Sequence, residues 1–130
     1  MRPLRITLVT IAVFQLALGA LFVIAPTHAH QLFGLAPAEP GWSDWLFAMM
    51  GARFLGFGYG MLVAARDPAR HVTWINAMIV IQLIDWIATI SHLIGGTVRL
   101  SQVSTASFMP VLFIAALLWF HPRRVAAHRG

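Results

Sequence analysis

Four long apolar runs constrain this chain more than any other feature. They cover Leu4 to Ile24, Trp45 to Ala65, Val72 to Ile94 and Val103 to Phe120. An α-helix rises 1.5 Å per residue, so about 20 residues cross a hydrocarbon core of about 30 Å. Little of the 130-residue chain lies outside these runs. Hydrophobic residues make up 59% of it and charged residues 10%, where soluble domains carry about 25% charged residues. A soluble domain this small could not hide so much apolar surface. The composition therefore excludes a disordered chain and an ordinary soluble enzyme. With no cysteine, disulfide scaffolds, thiolate chemistry and Cys-ligated metals are excluded as well. The expected fold is all-α: an integral-membrane four-helix bundle forming one domain over residues 1–130. Pro110 falls inside the fourth run, where a proline is tolerated if neighbouring groups satisfy the carbonyl it frees.

The charges between the runs predict an orientation. Nine arginines and no lysine stand against four acids, for a net charge of +5. Four crossings place Arg2, Arg5, Arg66, Arg70, Arg123, Arg124 and Arg129 on one side. Arg99, Glu39 and Asp44 fall on the other. This asymmetry predicts that both termini are cytoplasmic. The arginines form no basic stripe interleaved with aromatics, so no nucleic-acid partner is expected. Trp42 and Trp45 open the second run, Trp74 opens the third and Trp119 closes the fourth, as expected of indoles at a membrane interface. Trp86 lies mid-run and predicts a packing role. Ala36-Pro37-Ala38 imitates a signal-cleavage box, but it lies well beyond the first run, which is itself longer than a secretory h-region, so that run is expected to be retained. Between runs one and two, Pro26, Pro37, Pro40 and Gly41 predict a loop. His28 to Leu35 is expected to form one short interfacial turn within it, with Leu32, Phe33 and Leu35 dipping into lipid.

Two charges lie inside the runs: Arg53 in the second and Asp85 in the third. Each costs about 2.5–3.5 kcal/mol or more at that depth if left alone. Both are sixteen residues from Ala69, the centre of the turn joining the two runs. Equal spacing in an antiparallel hairpin gives equal depth. Arg53 shares a face with Gly56 and Gly60, a small-xxx-small pattern that permits close helix approach. Gln82, Asp85, Thr89 and His92 form one stripe on the third run. The expectation is that these two faces meet and that Arg53 pairs with Asp85, with Gln15 of the first run able to join. Such a pair either locks the hairpin register or lines a site for a quinone, a lipid headgroup or a proton.

The remaining candidates are weaker. His28 and His30 form an HxH that, with His92 and Asp44 or Glu39, could hold zinc or copper. No complete ligand set is visible, so no bound metal or other cofactor is expected. His71, His121 and His128 sit among arginines and read as interfacial anchors near anionic lipid. Gly56-Phe57-Gly58-Tyr59-Gly60 lies mid-helix and follows no strand, so it reads as packing rather than as a phosphate loop.

Beyond these patterns, the chain resembles small bacterial four-helix membrane proteins of the DoxX-like kind. The likeness is carried by Leu21-Phe22-Val23-Ile24-Ala25-Pro26 closing the first run, by Gly51-Ala52-Arg53-Phe54-Leu55-Gly56 in the second, and by Ala65-Arg66-Asp67-Pro68-Ala69-Arg70-His71 after it. The resemblance implies an accessory role near a quinone-reducing redox complex of sulfur oxidation. The DoxX type often has an acid in the second helix, where this chain has Arg53. Taken together, the sequence points to a non-enzymatic accessory or scaffold subunit of the bacterial inner membrane, in contact with lipid, with a polar site for a lipid or quinone. The expected setting is a larger membrane complex or a homo-oligomer. Two alternatives stand beside it: a small membrane enzyme with Asp85 and His92 as its acid/base pair, and a transporter subunit.

Overall fold

The computed structural model describes residues 2–34 and 42–127, and every element among them is a helix. They are α1 (Arg2–Ile24), α2 (Pro26–Leu32), α3 (Trp42–Arg66), α4 (Val72–Ile94), α5 (Leu100–Trp119) and α6 (Pro122–Ala127). Four of these, α1, α3, α4 and α5, are long and apolar enough to cross a membrane. Their bounds follow the apolar runs, with α5 starting three residues before the fourth run through a kink at Val103. The expected turn after Pro26 is the helix α2, in which Leu32 is exposed, while Phe33 just beyond it packs edge-on against Phe22. Leu35, Glu39 and the Ala36-Pro37-Ala38 box lie outside the described residues.

The helices associate as two antiparallel pairs. In the first, α1 lies along α3, the most extensive contact in the molecule. The reason is a seven-residue spacing of small side chains on both helices: Ala12 and Gly19 on α1, and Gly51, Gly58 and Ala65 on α3. All five are buried. A Cβ on Gly19 would come within 2.9 Å of the Gly51 carbonyl, and one on Gly51 within 2.8 Å of the Gly19 carbonyl. Backbone meets backbone there, as small residues allow in lipid. This corrects the expected packing face. Gly56 is exposed with open space around it, and Gly60 faces the Trp74 ring rather than the polar stripe of α4.

In the second pair α4 runs along α5. The Trp86 indole donates to the Ser107 carbonyl at 2.9 Å, which accounts for a tryptophan in mid-span. That carbonyl neighbours the Ala106 carbonyl, which Pro110 leaves without its helical donor. At the far end His121 and the Asn76 amide oxygen are 2.8 Å apart, tying the end of α5 to the start of α4. The connection between the two helices is a Schellman turn. Gly96 has φ +74°, Thr97 N–H donates to the His92 carbonyl and Gly96 N–H to the Leu93 carbonyl. Replacing Trp86 with Phe removes one interhelical hydrogen bond. The expected loss is about 1 kcal/mol in a denaturant titration in mixed micelles, with the helix content of the folded state unchanged.

The two pairs meet at the end that holds the Arg66–Arg70 turn. Leu4, Leu8 and Ile11 of α1, Met61 of α3, Ile75 and Met78 of α4 and Leu117 of α5 are fully buried there. All come from the halves of their helices nearest that turn. Toward the other end the burial changes. No residue of α4 beyond Gln82 is buried, and Leu83, Ile84 and Ile87 are exposed. The outer surface of the helices is itself apolar, with Val13, Tyr59, Val80 and Leu112 among the exposed residues, as expected of a surface facing lipid.

Candidate functional site

The six residues of the expected polar site are held mostly by their own helices. Gln15 of α1 is buried, and its Oε1 has no hydrogen-bond partner among the described residues. Gln82 of α4 is buried and its Nε2 donates to the Met78 sulfur at 3.4 Å. One turn further, Asp85 is exposed. The Thr89 hydroxyl donates to the Asp85 backbone carbonyl at 2.8 Å. His92 is exposed near the end of the helix. Asp85 and His92 lie two turns apart, about 10.5 Å along the axis.

Arg53 does not pair with Asp85. Its guanidinium folds back along α3 and donates to the Met49 carbonyl at 3.0 Å. Among the described residues the ion pairs are His30–Asp44 and Arg70–Asp67. The expectation of equal depth survives in the helix bounds. Arg53 is thirteen residues from Arg66, and Asp85 thirteen from Val72, about 20 Å along each axis. What fails is the facing. Helix α1 packs on the Gly51–Gly58 face of α3, not on the face that bears Arg53. Helix α3 meets α4 far less extensively than it meets α1, with Gly60 on Trp74 near the turn but open space over Gly56. Both charges therefore stand on exposed surface at mid-span.

The polar cluster that the fold does assemble lies at the other end, between α2 and α3. His30 is buried, and its Nε2 is 3.1 Å from Asp44 Oδ1, although the two are not aligned as a hydrogen bond. The Thr27 hydroxyl donates to Asp44 Oδ2 at 3.3 Å. The imidazole lies on the Phe47 ring with centroids 4.1 Å apart. Phe47 in turn packs against Phe22, which also meets Phe54. Asp44 sits in the first turn of α3, where a negative charge is favoured by the helix dipole. The signal for this cluster was present in the sequence as an acid in the first turn of a helix and a histidine on the preceding segment. Spacing alone groups these residues only as part of a metal set. His28 is exposed and takes no part. Among the described residues no three His, Asp or Glu side chains are grouped to hold a metal ion.

This cluster fastens α2 onto α3. Asp44 is partly exposed, so the ionic contribution is small and most of the hold is His30 against Phe47. His30→Ala is expected to cost about 1 kcal/mol. Its signature would be faster amide exchange confined to α2, with protection in α1 and α3 retained.

Comparison with protein-family models, curated proteins and solved structures finds no match to this chain.

Proposed function

We propose that this chain is a non-enzymatic accessory or scaffold subunit of the bacterial inner membrane, crossing it four times with both termini in the cytoplasm. The observation that carries the reading is the exposure of Arg53 and Asp85 at mid-span. A charge facing hydrocarbon at that depth costs about 2.5–3.5 kcal/mol or more, so the surface that bears them is covered when the protein is in its membrane. A catalytic reading asks for an acid and a base that converge on one point, and Asp85 and His92 are two turns apart. The Asp85–Thr89–His92 edge of α4 is where a lipid headgroup or a quinone-like molecule would approach from the bilayer. The arginine asymmetry across the four spans supports the orientation. The DoxX-like resemblance of the Gly51–Gly56 and Ala65–His71 segments supports an accessory role.

The test is native mass spectrometry of the protein extracted with its surrounding lipid. Co-release with a different membrane protein is the expected result. A retained lipid or quinone lost on Asp85→Ala would add a ligand site to that role. Release of this chain with neither another protein nor a retained small molecule would contradict the accessory reading.

A further inference from the structure

Arg53 and Asp85 carry opposite charges at one depth on one chain, and both are exposed. Among the described residues the one side-chain hydrogen bond of Arg53 goes to a carbonyl of its own helix, it forms no ion pair, and no basic group stands within ion-pair distance of Asp85. Equal depth has a consequence for self-association. A two-fold axis along the membrane normal moves residues around the bilayer but leaves their depth unchanged. Two copies related by that axis can bring residue i of one against residue j of the other, and j against i, only when i and j share a depth. Arg53 and Asp85 meet that condition, each thirteen residues from its end of the α3–α4 turn. A different partner protein would also need to cover both charges, but nothing about it would require them to be level.

The surface around them suits a neighbouring helix. Ala52 and Gly56 are exposed beside Arg53, with open space over Gly56. Ala88 is exposed beside Asp85. Small side chains let a second helix come close in lipid, where a charge-assisted contact is formed with little water to compete.

We propose that a second copy of this chain covers these charges in the membrane, as a two-fold dimer in which Arg53 of each copy faces Asp85 of the other. The proposal rests on the membrane placement proposed above and names the occupant of the exposed face.

The experiment uses two variants of the full chain, Arg53→Asp and Asp85→Arg, reconstituted in lipid and counted by single-molecule photobleaching. Alone, each variant sets like charges against each other in its own dimer, twice over. Dimerisation should weaken by roughly a hundredfold or more. One variant carries two acids at this depth and the other two arginines. A mixture therefore restores opposite charges at both contacts, and heterodimers should form at wild-type levels. A pair within one chain cannot be repaired by mixing. Failure of the mixture to recover, self-dimers as strong as wild type, or a wild-type protein that is monomeric in lipid would each overturn the proposal.

Because the charge variants could also fail to fold, a second measurement keeps both charges. The chain has no cysteine, so copies carrying Ala52→Cys can be mixed with copies carrying Ala88→Cys and treated with a short thiol crosslinker. Crosslinked heterodimer is expected, and its absence overturns the proposal. Dimers without any second protein would sustain this inference while removing the accessory reading. A monomer bound to another protein would do the reverse.

Discussion

Gly51→Leu is expected to pull α1 away from α3 and to destabilise the folded chain by about 3 kcal/mol. The atoms that a Cβ would meet at this position are the Gly19 carbonyl at 2.8 Å, the Phe22 Cβ at 2.8 Å and a Val23 methyl at 2.9 Å. Two of these cannot rotate out of the way, so relief requires the helices to separate. Separation breaks the seven-residue register of Ala12 and Gly19 against Gly51, Gly58 and Ala65. Gly58 is a graded comparison, because the nearest atoms there belong to the flexible Leu16 side chain, and alanine at that position should cost less. Gly56→Ala is the control. It meets nothing within 4 Å and replaces a poor helix former with the best one, so its stability should be unchanged or raised. Denaturation of the three variants in mixed micelles orders them directly.

Leu117→Ala and Leu118→Ala are expected to separate by about 2 kcal/mol, although they are the same chemical change at adjacent positions. Leu117 is fully buried where the two helix pairs join, and Leu118 is 49% exposed on the outer face. In water, truncating a buried leucine costs the lost transfer energy and the cavity together, about 2–5 kcal/mol. In a bilayer the separated helices remain in apolar surroundings, so the transfer part largely cancels and the lost packing remains. That places Leu117→Ala near the lower end, about 2 kcal/mol, and Leu118→Ala within about 0.5 kcal/mol of the parent. Equal losses at the two positions would mean that α5 is rotated about its axis, with Leu117 no longer facing the core.

The positions of the long helices were legible because length and apolarity are set by the thickness of a bilayer. Ile24, Val72 and Ile94 are helix ends on both the sequence and the structure. The rotation of each helix was not legible in the same way. Residues facing lipid and residues facing a neighbour are both apolar here, as Leu118 and Leu117 illustrate, so no polar face marks the outside. Of the four-residue pair on α3, Gly60 does pack against α4, through the Trp74 ring, but Gly56 is exposed, so the pattern did not carry α4 along α3 as far as Arg53. The informative signal was the seven-residue spacing of Gly51, Gly58 and Ala65, which is matched on α1 by Ala12 and Gly19. The depth of Arg53 and Asp85 followed from counting along the hairpin, whereas their failure to meet depended on how little of α3 packs against α4. His30 and Asp44 come together because Pro26–Leu32 forms a helix that contacts both α1 and α3, an event that a proline-rich stretch between apolar runs does not announce.

Four crossings would put both termini on one side of the membrane, and the proposed orientation depends on that even number. Reporter fusions that are active on only one side of the membrane, placed before Met1, between Gly34 and Trp42, and after Gly130, test this most directly. The two terminal fusions should report the cytoplasm and the middle fusion the opposite side. Termini reporting on opposite sides would contradict it, because the four long helices could not then all cross the membrane.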